Sequence, residues 1–326
     1  MNVNSSGSPL SADHVQEARA RIAPYAHRTP VLTCSAIDLK AEASVFFKCE
    51  NFQKTGSFKF RGACNAVASL SEAKRVKGVV THSSGNYAQA LALAARLHMT
   101  PAFVVMPENA SDIKKQATAG YGASITLCTP THAGRHEAAE RIREATGATF
   151  LSPYDDARVI AGQGTACMEL IEEIAGLDLI LAPVGGGGLL SGTLLAAKHM
   201  LPSVEVIGCE PAGADDAARS LQTGKRIVDF TPHTIADGLR TPLGELTFPI
   251  IRDGVDGIVL VSEADILHAM RFVWERMKIL IEPSSAVAVA PLLNGTIKTS
   301  KRRIGVILSG GNVDLTAFFT LLEGTL

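Results

Sequence analysis

The stretch Leu177-Asp-Leu-Ile-Leu-Ala-Pro-Val184-Gly-Gly-Gly-Gly188 is an apolar run that ends in four consecutive glycines. Eight residues dominated by Leu, Ile, Ala and Val read as a strand buried on both faces, the kind that parallel sheets contain. The glycines turn it into an apolar helix from Leu189 to Met200, and Val204 to Cys209 is the next strand. Strand, glycine turn, helix and strand in this order form a βαβ unit, which predicts an α/β fold with open, twisted, largely parallel sheets.

The same alternation extends in both directions. Upstream, Gly78–His82, Pro101–Met106, Ser124–Cys128 and Thr149–Ser152 read as strands. Between them Tyr87–His98, Asp112–Gly120 and Arg135–Thr146 read as helices. These make one compact α/β block. A second begins near Ala157 and continues through Glu263–Ile279, an amphipathic helix, to a late strand at Ile304–Leu308.

The 326 residues suffice for two domains. Lys+Arg number 31 against Asp+Glu 32, a net charge of -1 that gives no electrostatic reason to expect nucleic acid or an anionic membrane as partner. No apolar run reaches the roughly 18–20 residues that span a bilayer. Met1 to Ser11, rich in Ser, Gly and Asn, lacks the pattern of a secretory signal and reads as a short disordered lead. The six cysteines form no C-x-x-C pair and lie in apolar segments, as buried free thiols of a reducing, cytoplasmic setting do.

Three loops fall at the carboxyl ends of expected strands, where open α/β sheets bind ligands: Ser83-Ser84-Gly85-Asn86, Gly185–Gly188 and Ser309-Gly310-Gly311-Asn312. Small residues at a helix start expose backbone N–H groups, so Gly185–Gly188 can cradle a phosphate. Two other readings stand beside it. Gly186-x-Gly188-x-x-Ser191 with Glu210 after the next strand approximates a dinucleotide fingerprint, and a glycine turn also permits close strand–helix packing. In Lys54-Thr-Gly-Ser-Phe-Lys59-Phe-Arg-Gly62 a lysine sits between two phenylalanines. Desolvation there favours a neutral, nucleophilic amine, although a lysine reaching from an amphipathic surface gives the same local pattern. Glu210-Pro-Ala-Gly-Ala-Asp-Asp216 offers hard oxygen ligands, or merely a solvated acidic helix start.

Eight motifs occur in order: Ser57-Phe-Lys-Phe-Arg-Gly62, Thr81-His-Ser-Ser-Gly-Asn86, Ala161-Gly-Gln-Gly-Thr165, Gly185–Gly188, Ile235-Ala-Asp-Gly238, Trp274-Glu-Arg-Met-Lys278, Ile281-Glu-Pro283 and Leu308-Ser-Gly-Gly-Asn-Val-Asp314. Together they resemble the serine racemase and serine/threonine dehydratase family of pyridoxal 5'-phosphate (PLP) enzymes, over about Ala20 to Leu315. The resemblance implies a tryptophan synthase β-like fold. In it a large PLP-binding domain, residues 1–75 and 156–326, is interrupted by a small α/β domain, residues 76–155. It also implies a homodimer.

It further implies roles. Lys59 carries the cofactor and removes the Cα proton. Phe58 covers one face of the cofactor ring, and Gly238 leaves room on the other. Asn86 bonds the ring hydroxyl, while Gly185, Gly186, Gly187, Gly188 and the Leu189 N–H hold the phosphate. Glu282 belongs to the cofactor site. Ser309 faces the pyridine nitrogen, where a hydroxyl carries no fixed charge, so the ring is a limited electron sink and prompt loss of a β-hydroxyl is favoured. Ser83, Ser84, Asn86, Arg135 and Thr241 lie at the substrate. Ser84 also matches the serine that, in racemases, delivers a proton on the face opposite the lysine; a carboxylate-binding or helix-capping serine is the other reading. Arg135 can receive a second substrate carboxylate, or only start its helix. Glu210, Asp216 and the Ala214 carbonyl match a divalent-cation loop for Mg²⁺, Ca²⁺ or Mn²⁺.

The implied reaction removes ammonia from serine, threonine or 3-hydroxyaspartate, leaving a 2-oxo acid. Serine racemisation is expected beside it. One departure bears on substrate preference: relatives often have histidine where this chain has Tyr87. Gln89, Lys114 and Tyr121 match a nucleotide effector site incompletely. A nicotinamide-dependent oxidoreductase and a non-catalytic binding module are the competing classes.

Overall fold

The computed structural model describes residues 10–110, 112–316 and 318–319. Most of the expected disordered lead lies outside them; its last residue, Ser11, caps the helix Ala12–Ile22. The described chain forms β1 (Val31–Leu32), β2 (Ser44–Cys49), β3 (Val79–His82), β4 (Ala102–Pro107), β5 (Ser124–Cys128), β6 (Thr149–Phe150), β7 (Leu179–Pro183), β8 (Glu205–Pro211), β9 (Gly257–Val261) and β10 (Arg303–Leu308). They build a six-stranded sheet, β1-β2-β10-β7-β8-β9, and a four-stranded sheet, β5-β4-β3-β6. Only β1 against β2 is antiparallel; every other pairing is parallel. The α/β class with two separate sheets is as the sequence predicts.

Strand β7 is buried along its whole length. Its side chains alternate: Leu179 and Leu181 enter the core shared with Val45, Phe47 and Val306, while Ile180 and Ala182 enter the core shared with Val206, Leu190 and Ile307. A strand apolar on both faces has to be covered by helices on both, which is why the run has no polar alternation. The helices Ala157–Glu173 and Gly188–Met200 lie together on one face. A Cβ on Gly192 would meet the Gly164 nitrogen at 2.5 Å, so these helices touch backbone to backbone.

In the smaller sheet, Val79, Val104 and Met106 pack against the helix Asn86–Leu97, and Val80 and Val105 against the side of Ala138 and Ala139. The first of these cores also contains Phe60, Ala63 and Val159, so it joins the smaller sheet to the elements that flank the larger one.

Several boundaries differ from expectation, among them the following three. The helix expected from Arg135 begins at His132, because the Thr131 side chain accepts from the Gly134 N–H and starts it a turn earlier. The strand expected over Thr149–Ser152 stops at Phe150. The helix expected to reach Ile279 ends at Met277, where Lys278 takes the left-handed conformation at φ 60.

Candidate active site

Lys59 opens the helix Lys59–Ala68, and the residues before it are strapped to the loop after β10. Ser57 forms an antiparallel bridge with Gly310, and the Phe58 N–H donates to the Ser309 carbonyl at 3.0 Å. From below, the helix is held by an ion network. The buried Arg61 guanidinium donates to both Glu50 oxygens, at 2.7 and 2.8 Å, and to both Glu169 oxygens, at 2.7 and 2.8 Å. Lys48, also buried, pairs with Glu169 at 2.7 Å.

The Lys59 amine donates to the Pro153 carbonyl at 2.9 Å. It lies 5.0 Å from the Phe58 ring centroid and 6.0 Å from that of Tyr87. Desolvation brings it down to about 8, against the pull of the Glu282 carboxylate. Such an amine is partly neutral, and so nucleophilic, near neutral pH.

Opposite stands the amino end of the helix Asn86–Leu97. The Asn86 amide donates to both Glu282 oxygens, at 2.8 and 3.0 Å, and accepts from the Asn312 amide at 2.8 Å. Burial pushes Glu282 up to about 8, with Asp237 adding to the effect and the Asn86 bond opposing it. Ser83 and Ser84 occupy the half-buried turn between β3 and this helix, and the Ser83 hydroxyl accepts from the Gly85 N–H at 3.4 Å.

Gly185–Gly187 form the turn after β7, and Gly188 starts the helix, with Gly187 at φ +88. Packing accounts for part of this composition. A Cβ on Gly186 would stand 2.4 Å from the Tyr154 ring, and one on Gly185 would stand 2.8 Å from the Leu239 Cα. The Gly186 carbonyl is held by the Thr247 hydroxyl at 2.8 Å, and Asp155 accepts from the N–H groups of Glu245 and Leu246 at 2.9 and 2.8 Å. Next to this turn, Gly238 N–H donates to the Ser284 hydroxyl at 3.0 Å.

The glycine turn, Gly238, Glu282, Ser309 and Lys59 are therefore linked by direct or one-residue contacts. Thr241 is exposed. Arg135 is half-buried, and its buried Nε has no hydrogen-bond partner among the described residues.

The acidic loop shows a mixed picture. Both Glu210 oxygens accept backbone N–H groups, from Ala217 and Ala218, at 2.9 Å each. Asp216 accepts from the Leu243 N–H at 3.2 Å through one oxygen, while the other is buried without a partner. Burial pushes Glu210 up to about 8 and Asp216 up to about 7. Among the described residues no group of three or more His, Cys, Asp or Glu side chains is arranged to hold a metal ion, so the expected cation has two carboxylates and the buried Ala214 segment at most.

Sequence reasoning missed Pro153, Tyr154, Asp155 and Thr247. The first three follow β6 directly, at a strand's carboxyl end, which was the available signal.

A desolvated lysine hydrogen-bonded to the Pro153 carbonyl, whose neighbour Tyr154 packs on the glycine turn, is an arrangement that suits a PLP enzyme. The chain belongs to the pyridoxal-phosphate dependent enzyme family, whose profile matches residues 22–310. It is 50% identical over 313 residues to a serine racemase of Dictyostelium discoideum, covering 95% of this chain and 97% of that protein. It is 47% identical over 298 residues to a beta-hydroxyaspartate dehydratase of Paracoccus denitrificans, covering 91% and 95%. The solved structure of maize serine racemase superposes with a TM-score of 0.93 at 44% identity, covering 97% of each chain. The family sets aside the dinucleotide reading of Gly185–Glu210 and the non-catalytic module: the chain is a PLP-dependent enzyme.

Proposed function

We propose that this enzyme removes ammonia from L-serine and L-threonine to leave a 2-oxo acid, and also interconverts the enantiomers of serine. The observation that carries the reading is Lys59, an amine brought to about 8 and held within 2.9 Å of a carbonyl that fixes its direction. PLP, when bound, supplies the electron sink that stabilises charge at the substrate Cα. The orphaned Ser57 hydroxyl, the N–H groups after Gly187 and the partly neutral lysine suit a phosphorylated aldehyde.

Lys59 carries the cofactor and takes the Cα proton on its Nζ. Phe58, Asn86, Gly238 and Ser309 would hold the cofactor ring, with Glu282 bonded to Asn86. Gly185 to Gly188 and the Leu189 N–H would hold the phosphate. Ser83, Ser84, Asn86 and Thr241 receive the substrate, and Ser84 delivers a proton to the face away from Lys59. Glu210, Asp216 and the Ala214 carbonyl would hold a divalent cation, Mg²⁺, Ca²⁺ or Mn²⁺, whose charge would satisfy the orphaned Asp216 oxygen.

The domains are residues 1–75 with 156–326, and 76–155, a division that sheet membership supports. The protein works as a cytoplasmic homodimer, in keeping with six unpaired, buried cysteines. No described helix is long and apolar enough to cross a membrane.

A second reading, 3-hydroxyaspartate as substrate, is favoured by Arg135, whose unpartnered Nε leaves the guanidinium able to take a second carboxylate. Steady-state rates on the three substrates in both stereochemical series rank these readings. The first test is Lys59→Ala. The purified variant is expected to be folded, to lack the visible band that borohydride abolishes in the parent, and to have no elimination activity. Turnover within tenfold of the parent, about 1.4 kcal/mol of barrier, removes Lys59 from the chemistry.

A further inference from the structure

Tyr87 is the second residue of the helix Asn86–Leu97 and is 1% exposed, although it carries a hydroxyl. That hydroxyl is buried and has no hydrogen-bond partner among the described residues. Burying an unpaired hydroxyl costs free energy, so the hydroxyl is not what recommends tyrosine at this position. The ring is: its centroid lies 6.0 Å from the Lys59 Nζ, with the Phe58 ring on another side at 5.0 Å and the Pro153 carbonyl at 2.9 Å.

We propose that the Tyr87 ring and the Pro153 carbonyl form a holding site for the Lys59 ammonium whenever that lysine is not bonded to the cofactor. The negative face of an aromatic ring attracts a cation, more strongly where water is excluded. The carbonyl accepts one of the three ammonium N–H groups. The other charged groups around the site leave this balance in place. Glu282 reaches Lys59 electrostatically from the large-sheet side. Asp156 and Arg158, whose fields reach the Tyr87 hydroxyl, are paired with each other at 2.5 and 2.9 Å.

The consequence concerns the proton. When the substrate Cα–H bond breaks, the electron pair stays with the substrate and the proton becomes the third on Lys59 Nζ. The resulting ammonium is retained beside Tyr87 and does not lose its proton to solvent. Tyr87 is thus a positioning residue that sets how readily Lys59 gives and takes its proton.

The inference rests on Lys59 being the cofactor lysine, and the experiment separates the two. Protein stripped of cofactor is mixed with PLP, and the rate at which the visible band appears is followed against pH; only the neutral amine reacts. In the parent the rate should rise with pH about a midpoint near 8. Tyr87→Leu, which removes the ring, should move the midpoint down by about half to one pH unit. Tyr87→Phe, which keeps the ring and deletes the unpaired hydroxyl, should leave the midpoint in place. Should Tyr87→Leu fail to fold, Tyr87→Met, which also lacks the ring, replaces it, with a downward shift expected again. A leucine or methionine midpoint that superimposes on the parent's overturns the holding site, as does a phenylalanine variant that shifts as far as the leucine one. A parent that forms no band with PLP overturns the cofactor assignment of Lys59 instead.

Discussion

Ser84 occupies the turn between β3 and the helix Asn86–Leu97. Two roles are open to a hydroxyl there, and they differ in what they cost when lost. Elimination from an L-substrate uses Lys59 alone, whereas racemisation also needs a proton on the opposite face. Placed proton transfer contributes roughly 10²–10⁴-fold. Ser84→Ala is therefore expected to lose L-to-D serine interconversion by that factor while retaining most L-serine deamination. If Ser84 only binds the carboxylate, both reactions weaken together, by about 1–3 kcal/mol. Chiral chromatography of serine beside an assay for pyruvate reads the two patterns; equal losses leave a plain ammonia-lyase. At this scale the polar side chains of the site were legible, because Ser83, Ser84, Asn86 and Ser309 stand where strands end. The Pro153 carbonyl was not, since a backbone oxygen has no residue type to announce it. Nor was the fit of Gly186 to the Tyr154 ring, which joins residues far apart in the chain.

Among the elements, the helix that begins at Lys59 depends on charges that local pattern does not reveal. Strand β2, Ser44-Val-Phe-Phe-Lys-Cys49, went unread because Lys48 breaks its apolar run. That lysine is buried only because Glu169, on the helix Ala157–Glu173, lies 2.7 Å away and the Thr29 carbonyl accepts from it at 2.7 Å. Strand β9 was equally silent: it is an edge strand whose Leu260 is exposed. By contrast, the runs of β4, β7, β8 and β10 are mostly apolar, β3 opens on two valines and β5 alternates polar and apolar residues, and turns bound them, so they are legible. The Arg61, Glu50, Glu169 and Lys48 network gives a stability prediction. Burial works against the charged form of Glu169, but bonds to Arg61 and Lys48 outweigh it and hold the carboxyl below its usual 4.5. A carboxylate with a depressed folded value stabilises fully above 4.5 and loses that contribution as pH falls through the lower, folded value. Glu169→Gln leaves two buried cations short of a counter-charge, which costs about 3–5 kcal/mol at neutral pH. Urea melts should show that loss at pH 7 and a smaller gap between variant and parent as the solution is acidified. A gap that does not change with pH would mean that the charge of Glu169 is immaterial and only its shape counts.

For the whole molecule, the two sheets are joined by the shared core around Phe60, Ala63 and Val159 and by polar links that include Asn86 to Glu282 and Asn312, and Lys114 to Asp237 at 2.6 Å. The site is thus assembled from both sides, and the glycine turn after β7 also touches the smaller unit, where Gly186 packs on the Tyr154 ring. A chain of bonds runs to that turn from the acidic loop. Asp216 accepts from the Leu243 N–H, the Gly244 N–H donates to the Thr247 hydroxyl at 2.8 Å, and that hydroxyl donates to the Gly186 carbonyl at 2.8 Å. A cation bridging Glu210 and Asp216 would tighten this path at its far end. Its charge would offset the desolvation that pushes Glu210 up to about 8 and Asp216 up to about 7. A ligand that binds only the native state stabilises it by mass action, by about 2.7 kcal/mol at a hundredfold excess over Kd. Chelation is accordingly expected to lower the melting temperature by several degrees and to loosen retention of PLP on dialysis, with Mg²⁺ or Ca²⁺ restoring both. Glu210→Gln should abolish the response to added cation. If the metal-free enzyme melts at the same temperature and keeps its cofactor equally well, the loop holds no ion. Glu210 is then held by the backbone N–H groups of Ala217 and Ala218 alone.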